Sequence, residues 1–110
     1  MENAKDYRMA FVTVKSYDDA YQIMKILITE SLAACCTVIQ NCISMFGWQG
    51  AVQERHEYLI LIKTSSIKLG EMEKRIIELH HDDAPEIIAI ELDSSSKPYL
   101  EWLQQATTIK

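Results

Sequence analysis

Among its 110 residues the chain has only 3 glycines, 2 prolines, 3 cysteines and 2 phenylalanines. No apolar run approaches the ~20 residues that a bilayer-spanning helix needs. MENAKDYR, the first eight residues, carries no hydrophobic segment of the kind a secretory signal requires, so the expected compartment is the cytoplasm. Positive charge is also lacking. The net charge is −5, which argues against partners bound by neutralising phosphates, nucleic acid first among them. Three cysteines are an odd number, and without a secretion signal they read as reduced thiols. A bridge between neighbours Cys35 and Cys36 needs a distorted backbone, because adjacent strand residues point to opposite faces. There is no Walker loop, G-x-S-x-G, H-E-x-x-H or C-x-x-C, and no internal repeat. Catalysis is not expected.

What is present fits one globular domain. The chain is 48% hydrophobic and 25% charged, and its length suits a single core. We divide it into a short tail over 1–7 and one domain over 8–110. Met9–Val14 reads as a buried strand. Ser16 then caps a helix whose N-terminal end favours Asp18 and Asp19, with Ala20, Ile23, Met24, Leu27 and Leu32 as its apolar stripe. Strand character returns from Ala34 and resumes through Trp48, with Gly47 and Gly50 placed for a bulge or bend and a turn. Val52–Thr64 is a long strand. Ser66 opens a second helix carrying Leu69, Met72, Ile76 and Leu79, weakened at Gly70. Beyond Pro85, Glu86–Asp93 is a strand and Ser94–Ser96 a loop. Pro98 lies near the start of a last helix bearing Tyr99, Trp102 and Leu103.

The order is α+β, a ferredoxin-like βαββαβ arrangement with an extra C-terminal helix, in which two helices cover one face of an antiparallel sheet. A lone domain of this kind leaves its second sheet face in water, where polar residues should alternate with apolar ones. Here the pairs Phe11/Val12, Leu59/Ile60 and Ile87/Ile88 make the strands apolar on both faces. Self-association is the simplest way to cover so large a patch.

Five segments carry a resemblance: LAACC (Leu32–Cys36), the W-x-G of Trp48 and Gly50, Leu59–Thr64, His80 five residues before Pro85-Glu86, and Tyr99 with Trp102. Together they resemble the CutA family of divalent-cation tolerance proteins over roughly 8–105. The resemblance implies a homotrimer with long, bent arms built from the second and third strands, and similarity to PII signalling proteins. It also implies an association with copper or other divalent metal ions, with Cys35 and His80 in the positions of possible ligands. The chain departs from the family pattern at His80-His81-Asp82, at Asn41-Cys42, at Phe46, at Ala51 and at Val12.

The chemistry of these residues leaves alternatives open. Thiolates at Cys35 and Cys36 suit Cu(I) or Zn(II), yet buried cysteine is also a small hydrophobe. His81 and Asp82 add candidate donors beside His80, whereas histidine at a helix C-terminus is favoured by the dipole alone. Lys63 either faces a cleft for an anion or pairs with Glu86. Trp48 and Trp102 read as packing anchors at subunit contacts, with Trp48 also a candidate wall of a ligand cleft. Three functions follow: a metal-binding trimer, a PII-like module taking a small anionic ligand, or a structural trimer that scaffolds a protein partner.

Overall fold

The computed structural model describes residues 1–108. Strand β1 (Glu2–Asn3) is followed by β2 (Tyr7–Val14), helix α1 (Tyr17–Thr29), β3 (Cys35–Trp48), β4 (Ala51–Ser65), α2 (Leu69–Leu79), β5 (Ile87–Glu91), β6 (Ser94–Ser95) and α3 (Lys97–Thr108). The main sheet runs β3-β4-β2-β5, antiparallel throughout. This is the ferredoxin-like order expected, with β4 inserted between the two strands that α1 connects.

Alternation along the strands sorts the core. Ala10, Val12 and Val14 of β2 and Ile60 and Ile62 of β4 turn toward the helices and are buried with Ala20, Ile23 and Leu27 of α1 and Met72 and Ile76 of α2. The opposite face carries Met9, Phe11, Leu59 and Leu61, all half-buried. On β5 it also carries Ile88 and Ile90, which are 55% and 48% exposed. α3 reaches β4 from that side, where Lys63 meets Tyr99, and it buries Leu103 and Thr107.

Several boundaries differ from the sequence reading. The Ser16 hydroxyl does cap α1, accepting from the Asp19 N–H at 3.1 Å. The helix stops at Thr29, and Ser31 turns left-handed at φ 58°, so Leu32 is buried from outside the helix. Ser66 does not open an α-helix. Its N–H bonds to the Asp6 carbonyl, and a 3₁₀ turn over Ser66–Lys68 precedes α2. The expected Ser94–Ser96 loop contains β6, which pairs with β1. Residues 1–7, expected as a tail, therefore include a paired strand, with Ala4 only 1% exposed.

Beyond Tyr58 strand β2 has ended, and β3 and β4 continue as a two-stranded arm. The arm leaves the sheet at a bulge in which Gln40 and Asn41 oppose one residue of β4. Asn41 supplies the left-handed φ of 61° there, a conformation asparagine tolerates. Gly47, expected at a bulge or bend, instead pairs regularly with Val52. At the tip Gln49 and Gly50 take φ 51° and 78° between the paired Trp48 and Ala51, the I′ geometry of a tight hairpin.

Candidate functional site

The loop after α2 gathers the polar chemistry. Helix α2 ends at Leu79, and His80 turns to extended backbone while its N–H still bonds the Ile76 carbonyl. The Asp82 N–H donates to His80 Nδ1 at 3.0 Å. That contact assigns the ring proton to Nε2, which donates to the Thr13 carbonyl at 2.7 Å. Both ring nitrogens of His80 are therefore engaged. A cation could reach this imidazole only by displacing one of the two bonds.

His81 points the other way. Its side chain is 65% exposed, and Nε2 lies 3.3 Å from Asp19 Oδ1 in the first turn of α1. Asp82 faces the arm. Its Oδ2 accepts from Arg55 Nη2 at 2.9 Å, and Lys15 Nζ stands 3.9 Å from its Oδ1. The bond from Arg55 holds the Asp82 carboxyl below the ordinary carboxylate value. Arg55 also pairs with the buried Glu57 at 2.6 Å. Its Nε is buried without a partner among the described residues.

An open cleft of about 430 Å³ lies at the base of the arm, with Arg55, Glu57, Asp82 and Glu86 in its walls. Lys63 is elsewhere. It sits opposite Met9 in the sheet, four residues along β4 from the Leu59 that faces Thr13, about 13 Å away at strand spacing. Its ammonium donates to the Tyr99 oxygen at 3.2 Å and lies over that ring, which stacks on Trp102. The Lys63–Glu86 pairing left open by the sequence is therefore not made. Trp48 ends β3 at the arm tip, 61% exposed. Lys63, Glu86 and Trp48 do not line one cleft.

The two neighbouring cysteines lie on opposite faces, as strand geometry requires. Cys35 pairs in register with Lys63 on the open face, and Cys36 pairs with Ile62 on the helix side. Burial pushes the Cys36 thiol up to about 12. With no ion bound, this thiol keeps its proton at neutral pH and packs as a small apolar group. Cys35, at the Lys63 end of the sheet, is separated from His80 at the Thr13 end. Among the described residues no group of three or more histidine, cysteine, aspartate and glutamate side chains is placed to hold a metal ion.

A family model for the CutA1 divalent ion tolerance protein matches residues 8–106. The chain belongs to the CutA1 family. It is 35% identical over 99 residues to the divalent-cation tolerance protein CutA of Thermus thermophilus, covering 90% of this chain and 96% of that one. The match to human Protein CutA is 32% over 98 residues, covering 89% of this chain but 55% of the human one. This chain thus spans about half the length of the plant and mammalian relatives it matches. Among solved structures, Thermus thermophilus CutA1 superposes with a TM-score of 0.89 at 35% identity, covering 92% of this chain and 98% of that one. CutA of Xylella fastidiosa gives 0.90 at 30%, covering 93% and 98%.

Within this CutA1 fold, Asp19 reads from sequence only as a helix-end charge. Its contact with His81 comes from packing of α1 against the loop after α2, which no local spacing reveals. The Arg55–Glu57 pair did have a signal. Residues two apart on a strand share a face.

Proposed function

We propose that the chain is a homotrimeric divalent-cation-binding protein of metal-ion response, and that His81 and Asp19 hold the ion. One observation carries the reading: an exposed imidazole stands 3.3 Å from a carboxylate oxygen, while the neighbouring His80 is engaged at both nitrogens. Donors bound at about 2.0–2.2 Å around a tetrahedral Zn(II) lie about 3.4 Å apart, a spacing that the pair matches. Imidazole with carboxylate suits Zn(II) or Cu(II). Two protein donors leave the remaining positions to water, which makes the site exchangeable.

Cys35 is a separate soft donor on the open sheet face, suited to Cu(I). The exposed Ile88 and Ile90 on that face support self-association, and the family resemblance supports three copies. Three free thiols fit a reducing compartment such as the cytoplasm. One structural relative, from Archaeoglobus fulgidus, is described as periplasmic. The small-anion reading is disfavoured because Glu57, Asp82 and Glu86 outnumber Arg55 in the cleft. The role is binding, not catalysis.

Titration with Zn(II) and Cu(II) tests the assignment, with molar mass followed by light scattering. His81→Ala and Asp19→Asn each weaken binding at least ~10-fold, the scale of disrupting a metal site. His80→Ala, which loosens the turn but removes neither proposed donor, weakens binding less than either. Binding indifferent to His81 and Asp19 overturns the assignment. Cys35→Ser, titrated with Cu(I) under reducing conditions, reads the second donor independently.

A further inference from the structure

We infer that the groove between α2 and β5 receives one face of the β3–β4 arm of a second copy, an inference that deepens the homotrimer reading and rests on it. The groove measures about 230 Å³ and is walled by Leu69, Gly70, Met72 and Glu73 of α2 and by Ile87 and Ala89 of β5. Ile88 borders it as well, so the groove continues the exposed surface of β5. Gly70 is its unusual member. Glycine weakens a helix, and among the described residues nothing lies within 4 Å of where its Cβ would stand. Such a position suits the close approach of another chain.

The arm carries the matching surface. Counting by twos along β4 from Tyr58, which packs against the core, puts His56, Glu54 and Val52 on the helix side of the sheet. Ile43 pairs with His56 and Met45 with Glu54, so Ile43, Met45 and Val52 share that side. They are 58%, 68% and 78% exposed. Phe46 and Trp48 point to the other side, where they line clefts against Asp82 and Ala84 of their own chain. β3 and β5 are the outer strands of the sheet, and a free edge is a template for another strand. Unlike edges meeting head to tail close into a ring when the rotation between copies allows it. With β3 of one copy along β5 of the next in one sheet, helix-side residues of the arm face the neighbour's helix side. Ile87 and Ala89 line the groove on that side. From Tyr58 to Ala51 the arm is about 24 Å long at strand spacing, against a shortest molecular dimension of 23 Å. It can therefore span a neighbour's flank.

The test is a disulfide scan in a Cys35→Ser, Cys36→Ala, Cys42→Ser background, with the mass of this protein and of the wild type followed by light scattering. Gly70→Cys is combined in turn with Ile43→Cys, Met45→Cys and Val52→Cys, and mild oxidation is read on a non-reducing gel. At least one combination yields covalent dimers and trimers, at five times or more the level of either single variant. In the wild type, peroxide oxidises Met45 at least threefold more slowly than Met1, which is 87% exposed. A trimeric mass with no combination linked above its single variants overturns the groove and spares the trimer. Met45 oxidising as fast as Met1 in a trimeric sample does the same. A single-chain mass in the wild type overturns the trimer and the groove together.

Discussion

Burial of the Cys36 thiol beside α1 has a consequence for stability. Its folded value is about 12 against an ordinary value of 9.0. Below pH 9 both folded and unfolded chains keep the proton, and the fold loses nothing. Between pH 9 and about 12 the unfolded chain releases the proton first, so stability falls as pH rises, at up to about 1.4 kcal/mol per pH unit. Cys36→Ala removes this component. Urea unfolding of the two proteins at pH 8, 10 and 11 shows it as a gap that changes with pH; a constant gap contradicts it. His80 presents the opposite case, a residue whose value is structural. Its removal in His80→Ala strands the Thr13 carbonyl and the Asp82 N–H, at a cost of about 1–3 kcal/mol. Thermal melting of the cation-free protein registers that loss directly. A melting temperature within one degree of wild type would show that the ring does not hold the turn.

At the scale of elements, the arm depends on left-handed residues at two points, Asn41 at the bulge and Gln49-Gly50 at the tip. At Gly50 a side chain meets open space but must adopt φ 78°. Gly47 has equally open surroundings and an ordinary strand backbone. Gly50→Val therefore destabilises by about 1–2 kcal/mol, whereas Gly47→Val is neutral or mildly favourable. Equal effects in denaturant melts would place the constraint elsewhere. The hairpin also shows what a sequence makes legible. Short apolar runs located every strand of the main sheet, and the Gly50 turn followed from residue type. Asn41 gave no comparable signal, because the bulge arises from register between β3 and β4. The 1–7 segment hid its pairing for a similar reason: β1 and β6 are two residues each and about ninety apart in sequence. The candidate site divides in the same way. His80, His81 and Asp82 stood out as neighbours in sequence. Asp19 and Arg55 join them only through the fold.

For the whole molecule the decisive surface is the sheet face that α1 and α2 leave uncovered. Phe11, Leu59 and Leu61 are partly sheltered there, while Ile88 and Ile90 are about half exposed. Apolar area of this kind on a 12.7 kDa chain contributes roughly 25 cal/mol per Å² when another surface covers it. A second copy presents the same face, and closed symmetry repeats the contact around an axis. A charge placed there must be desolvated on assembly without a partner. Ile88→Glu and Ile90→Glu therefore shift the light-scattering mass from that of the proposed trimer, three times 12.7 kDa, toward the single chain. Ile77 supplies the control. It is 51% exposed on α2, on the opposite side of the sheet, so Ile77→Glu leaves the mass unchanged. Loss of assembly in the Ile77 variant would put the interface on the helix face, and its persistence in both β5 variants would move it off the open face.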